Sequence, residues 1–238
     1  MTAKAGLKFA MVCACNMNRS MAAHKLLAAD KCVQLAGCWR CAQATLGICR
    51  YQVASYGTAR QVKLPAPERP LASPFGTTYS ELLQRIEDKG PEVVKWFDAR
   101  KLLGMLKRNI GIKSAPERWQ SISTEELHSI DVAITFEERV FDALNEDVLC
   151  REVLVGERQL HVINLDTKDD PDAANIGAQY ALKLVELIVT SVDQLSTQQP
   201  GSSLSERIEQ VLPACISSLR SDTMGKGSLV PLHMQHFV

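Results

Sequence analysis

A three-layer α/β/α fold built on a mainly parallel sheet is predicted for this 238-residue chain by three observations. Apolar, strand-like runs recur at 7–12, 131–136 and 160–165, with a weaker one at 52–56, and each leads into a turn or a helix-like segment. The hydrophobic content of 46% suits one substantial core, whereas two full domains would crowd the available length. A long amphipathic stretch at 175–196 has the spacing of a helix that covers a sheet. In such folds ligands bind beyond the C-terminal strand ends, so the segments after 12, 136 and 165 should gather on one edge.

Each element follows from local pattern. LKFAMV at 7–12 is the first strand. CACNMNRS at 13–20 is a short polar loop, in which Ser20 is suited to cap a helix expected over 20–27. Residues 32–50, CVQLAGCWRCAQATLGICR, read as an insert before the strand at 52–56. KLPAPERPLASP at 63–74 is rich in proline and reads as extended loop. Helical spacing returns at 81–88 and 93–106, and SAPERW at 114–119 breaks it. After the strand DVAITF come a turn, EERV at 137–140, then the strand LHVINL at 160–165 and an acidic loop running to Asp172. The helix over 175–196 puts Ile176, Tyr180, Leu184, Leu187 and Ile188 on one face. GSS at 201–203 reads as a hinge, followed by a helix-like piece interrupted at Pro213 and a terminal apolar string. The simplest division is a domain over 1–198 carrying the insert, with an extension over 199–238 that packs on the core or trails from it.

Charge and cysteine usage narrow the partners. The 27 basic and 27 acidic residues cancel, so no global field argues for nucleic acid, and a phosphorylated protein or small anion is the expected partner. No run of about 18 apolar residues is present and the first residues lack a signal-peptide core, so a membrane is not expected and an intracellular, reducing location is. The eight cysteines are Cys13, Cys15, Cys32, Cys38, Cys41, Cys49, Cys150 and Cys215. Cys32, Cys38, Cys41 and Cys49 raise the question of zinc, but with a single CxxC and irregular outer spacings they read better as thiols of the insert, and no metal is expected.

Cys13 and Arg19 carry the chemistry. A thiol followed by five residues and an arginine, between a strand and a helix N-terminus, lets one loop curl round an anion with its amides inward and the guanidinium holding two oxygens. Cys13 is then the nucleophile expected in that field. A glycine-rich GxxxxGK[ST] nucleotide loop is absent from the sequence. Cleavage of a phosphate ester also needs an acid for the leaving oxygen, and Asp166, Asp169, Asp170 and Asp172 are all candidates on the same sheet edge; spacing does not choose among them. Cys15 is read either as a packed thiol or as a partner for a reversible disulfide with Cys13. His24 can support the loop, His161 alternates within a strand, and His128, His233 and His236 read as surface or tail residues.

VCACNMNRSMAAH at 12–24, SYGTARQVKLP at 55–65, FGTTY at 75–79, GML at 104–106, PERWQ at 116–120, TFEERVFD at 135–142 and HVINLDTKD at 161–169 form an ordered series. The series resembles the suppressor-of-sua phosphatases, which act on the RNA polymerase II C-terminal domain in mRNA 3′-end processing and whose core is similar to low-molecular-weight protein tyrosine phosphatases. The resemblance implies a nuclear, cofactor-free protein serine/threonine phosphatase working through a phosphocysteine. Its substrate would be the polymerase heptad repeat, phosphorylated on the serine at position five before a cis-proline, and its partner a symplekin-like scaffold of the cleavage and polyadenylation complex. It further implies Cys13 as nucleophile, Arg19 as clamp and Asp169, the second aspartate of NxDxxD, as acid. Ala14, Cys15, Asn16, Met17, Asn18 and Ser20 would bind phosphate, Ser20 steadying the thiolate, while Met17, Lys63, Pro65 and Met105 would line the peptide groove. Cys15 stands where such proteins have serine, and Ala59 where they have glycine. Two other readings remain: a phosphotyrosine phosphatase or arsenate-reductase-like enzyme of the same fold, and an inactive scaffold of the 3′-processing complex.

Overall fold

The computed structural model describes residues 6–36, 51–151, 159–224 and 232–237. A five-stranded sheet is ordered β2-β1-β5-β6-β7, with β1 Leu7–Cys13, β2 Tyr51–Gly57, β5 Val132–Thr135, β6 Leu160–Leu165 and β7 Leu232–Phe237. The first four in that order run parallel, and β7 closes the edge antiparallel to β6, pairing Leu160 with Phe237. Register aligns Cys13 with Gly57 and Val12 with Thr135, so the loops after β1, β2 and β5 leave from one edge. The central strands are buried on both faces, as parallel strands between helix layers must be.

Strand alternation sorts the two cores. Phe9, Met11, Ile134 and Ile163 point to one face, where α1 (Arg19–Ala36), α7 (Pro171–Gln198) and α8 (Leu204–Met224) contribute Ala22, Leu27, Leu184, Ile188 and Leu212. Ala10, Val12, Ala133 and Val162 point to the other, where α5 (Thr124–His128), α6 (Glu138–Cys150) and a 3₁₀ turn at Trp119–Ser121 bring Leu127, Val140, Leu144 and Trp119. A third cluster lies beside the sheet edge. There α2 (Tyr79–Glu87), α3 (Pro91–Ala99) and α4 (Leu102–Ile110) enclose Tyr79, Ile86, Phe97 and Leu106 with Met17 and Met21, under a hairpin of β3 (Val62–Leu64) and β4 (Leu71–Ser73).

Several elements differ from the sequence-based expectation. Residues 63–74 are not simply extended loop: Val62 pairs with Ser73 and Leu64 with Leu71, because Val62 and Leu64 alternate onto the third core while Lys63 stays outside. Helix α1 begins at Arg19, one residue early, which puts Ser20 inside the first turn and not at the cap. The helical run 93–106 is two helices, split where Lys101 takes a left-handed φ of 60°. EERV at 137–140 is the start of α6, and α5 had no expected counterpart. Helix α7 starts at Pro171, with Asp170 accepting from the Asp172 and Ala173 amides as N-cap. Its buried stripe is largely Ala174, Ala178, Ala181, Leu184, Val185 and Ile188, leaving Ile176 51% exposed. Small residues lie there because α1 packs close with Ala22 and Ala23. Helix α8 continues through Pro213, which sits on the exposed side while Val211, Leu212, Cys215, Ile216 and Leu219 hold the other side to the core. The side chain of Cys32, residues 38, 41 and 49, most of the insert over 32–50, and the side chains of His233 and His236 lie outside what is described.

Candidate active site

The loop after β1 is shaped from outside through its carbonyls. The Thr58 amide donates to the Cys13 carbonyl at 3.1 Å and the Ala59 amide to that of Ala14 at 2.9 Å. The Tyr79 hydroxyl donates to the Asn16 carbonyl at 2.7 Å, Asn109 Nδ2 to that of Met17 at 2.7 Å, and one Arg108 nitrogen to those of Met17 and Asn18 at 3.0 and 3.1 Å. No amide of residues 14–18 donates to a protein acceptor among the described residues, so these N–H groups are available to an anion. Asn16 makes the bend with a left-handed φ of 53°, a conformation asparagine tolerates better than most residues. Its side chain is fully buried, donating to Ser20 Oγ at 3.0 Å and accepting from the Glu117 amide at 3.0 Å. Gly57 is required where β2 ends, because a Cβ there would meet Ala14 O at 2.7 Å and Asn16 N at 2.8 Å. Ala59, by contrast, does not have a positive φ and needs no glycine.

Cys13 is buried at the end of β1, its Sγ 3.1 Å from Ser20 Oγ. Arg19, in the first turn of α1, is equally buried; its guanidinium donates to the carbonyls of Phe136 and Thr167 and to Glu137 Oε2 at 2.8 Å. Its Nε lies 3.4 Å from Asp169 Oδ1. Burial opposes its charge, but Cys13, Asp169 and Glu137 outweigh burial and raise its pKa. Asp169 is 61% exposed and also accepts from Asn18 Nδ2 at 3.1 Å. The other carboxylates of that loop stand elsewhere: Asp170 caps α7, Asp172 pairs with Lys101 at 2.7 Å, and Asp166 is exposed. A thiol, a buried cation and a rim carboxylate thus surround a ring of free amides, an arrangement able to hold a tetrahedral anion and exchange a proton at its edge.

Cys15 is half-buried, with Sγ 3.9 Å from the Gln61 carbonyl; burial, and secondarily the charge of Cys13, push its thiol up despite a hydrogen bond from the Lys63 backbone. The four residues expected to line a peptide groove separate into two pairs. Lys63 and Pro65 are exposed on and after β3, whereas Met17 and Met105 are buried in the third core. His24 bonds Ser55 at 2.9 Å on β2, and His161 is wholly buried. Among the described residues no group of His, Cys, Asp or Glu is placed to hold a metal, and no helix is long and apolar enough to cross a membrane. Sequence reasoning missed Glu137, Tyr79, Arg108 and Asn109. Glu137 was within reach, since it stands two residues past the end of β5 on the same edge; the others come from helices whose approach no spacing announces.

The family described as Ssu72-like protein matches residues 40–224, beyond the Cys13 loop. The RNA polymerase II C-terminal domain phosphatase SSU72 of Candida glabrata is 37% identical over 196 residues, covering 82% of this chain and 83% of its own. That of Schizosaccharomyces pombe is 34% identical over 203 residues, covering 84% and 89%. Among solved structures, the serine phosphatase of the RNA polymerase II C-terminal domain from Drosophila melanogaster superposes with a TM-score of 0.70 at 28% identity, over 97% of this chain and 100% of that one. Drosophila Ssu72 with Symplekin, bound to a cis peptidomimetic of the C-terminal domain carrying phosphoserine at position five, superposes with a TM-score of 0.67 at 27% identity, over 97% and 98%. With sequence similarity along most of the chain and a shared fold over nearly all of it, the chain belongs to the Ssu72-like family.

Proposed function

We propose that this chain is a cysteine-dependent phosphatase of the RNA polymerase II C-terminal heptad repeats, acting in the nucleus on phosphoserine at position five before a cis-proline. The observation that carries the chemistry is the junction of Cys13, Arg19 and Asp169 around a loop of free amides; the relatives' activity supplies the substrate. In the first step Cys13 sulfur attacks phosphorus, an S–P bond forms, the P–O bond to serine breaks, and Asp169 gives its proton to the departing serine oxygen. In the second, water attacks the phosphocysteine, Asp169 takes back a proton, and phosphate leaves as the sulfur is restored. Arg19 holds two equatorial oxygens throughout, exchanging its contact with Asp169 for the phosphoryl group. Glu137 and the two carbonyls keep the guanidinium aimed when the site is empty.

Lys63 and Pro65 would touch the peptide on the outer side of β3, while Met17 and Met105 shape the wall from beneath. A narrow wall suits selection of cis-proline, the minor isomer of an unfolded tail. A symplekin-like scaffold is the expected partner, as one accompanies the Drosophila structure. Turnover of a phosphoserine-proline heptad peptide by wild type and Cys13→Ser tests the reading. Wild-type activity with loss in the variant supports it; equal rates, or preference for phosphotyrosine, refute it.

A further inference from the structure

The charges around Cys13 are unequally answered. The charged and titratable groups around it include Cys15 in the loop, Arg19 from α1 with its partners Glu137 and Asp169, Tyr79 from α2, Arg108 from α4 and Lys113 just beyond α4. Arg19 is neutralised by Glu137 and Asp169, and Lys113 by Glu117 at 3.0 Å. Tyr79 is kept protonated, by burial first and then by the charges of Cys13 and Glu117, so it remains a neutral donor. Arg108 is different. Its guanidinium is partly buried, donates to the Met17 and Asn18 carbonyls and, through Nε, to Asn109 Oδ1 at 3.1 Å, and among the described residues no carboxylate lies within ion-pair distance of it. Burial lowers its pKa to about 10, which still leaves it charged at neutral pH.

Even a half-buried cation without a counter-charge is costly, and such groups persist where something else supplies the charge. Here the missing negative charge is that of the site itself: the Cys13 thiolate and then the bound phosphoryl group. The position fits a second purpose. By drawing the carbonyls of Met17 and Asn18 outward, Arg108 turns the amides that follow them inward and polarises those peptide groups toward the anion. Asn109 adds a neutral bond to the same Met17 carbonyl, so the pair forms a two-residue clamp at the C-terminal half of the loop.

We infer that Arg108 is a positioning residue and second positive centre of the phosphate site, acting on Cys13 and on bound phosphate through the Met17 and Asn18 carbonyls and through a charge that no carboxylate of the described residues answers. This role deepens the phosphatase reading and rests on it. Its consequence is that anion affinity and thiolate formation depend on α4, some 90 residues downstream of the loop.

The test uses the full chain with Arg108→Met and Arg108→Lys. Alkylation of Cys13 by iodoacetamide, a neutral reagent, is followed against pH by peptide mass spectrometry, with and without inorganic phosphate as protectant. Arg108→Met should move the half-rate point up by about one pH unit and weaken phosphate protection about tenfold. Arg108→Lys keeps the charge but not the planar fork; its half-rate point should return to within a few tenths of a unit of wild type, while kcat on an aryl phosphate stays reduced and KM less so. Should Arg108→Met fail to fold, Arg108→Gln carries the same comparison. A half-rate point and phosphate protection unchanged in the charge-removing variant, with only a lowered melting temperature, would overturn the inference. Failure of the phosphatase reading looks different, because Cys13→Ser would then keep its turnover.

Discussion

Gly57 and Asn16 are the two backbone positions on which the loop depends. The Cβ of a Gly57→Ala chain would stand 2.7 Å from the Ala14 carbonyl and 2.8 Å from the Asn16 amide, and backbone cannot step aside as a side-chain tip can. That substitution should cost about 1–3 kcal/mol in stability and lower kcat/KM disproportionately, read by urea denaturation beside peptide turnover. Asp169→Asn should slow hydrolysis of the serine phosphate far more than that of an aryl phosphate, whose leaving group needs less protonation. A comparable loss on both substrates would pass the acid role to Asp166, the one carboxylate of that loop engaged neither as cap nor with a cation. Cys13 and Arg19 were legible because thiol, loop length and guanidinium are local in sequence. Preferring Asp169 needed either resemblance or the fold: only in three dimensions do Asp170 and Asp172 stand occupied as a helix cap and an ion-pair partner.

At the scale of elements, apolar periodicity identified what faces a core but not where the chain bends. The run 93–106 has unbroken helical spacing, yet Arg100 and Lys101 leave the helix, and the Lys101 side chain reaches Asp172 at the start of α7. Pro213 gives the opposite lesson. A proline in a helical pattern predicts an interruption, but α8 is held by six apolar residues on its inner side, and the missing N–H falls on the exposed side, where the free carbonyl one turn back can meet water. Pro213→Ala should restore that hydrogen bond and stabilise by about 1–3 kcal/mol, a rise of several degrees in melting temperature with activity unchanged. An unchanged or lower melting temperature would mean that the ring's restriction of the unfolded chain outweighs the bond.

Across the whole molecule, the C-terminal helix belongs to the same core as Cys13. Ile208, Val211, Leu212, Cys215, Ile216 and Leu219 bury with α7, so ending the chain at residue 198 should expose that face and abolish cooperative unfolding, measured by calorimetry. At the opposite end of β1, Lys8 Nζ donates to Glu126 Oε1 at 2.8 Å and Tyr56 to the same oxygen at 2.7 Å, tying the first strand and β2 to α5. Those bonds hold the Glu126 carboxyl below its ordinary value of 4.5. The unfolded chain therefore takes up this proton first as pH falls, so the contribution is complete above about pH 4.5 and is lost as pH drops through the lowered folded value. Glu126→Gln should flatten that acid limb of the stability profile, and an unaltered limb would rule the tie out as its cause. By itself the sequence determined the parallel sheet, the thiol–arginine loop at its edge and the family, since all three are written in short-range pattern and motif order. Only the tertiary structure decided which aspartate meets Arg19, which helix residues hold the loop carbonyls and where the third core closes over Met17. Those choices depend on contacts between segments tens to more than a hundred residues apart, and close packing, not spacing, brings them together.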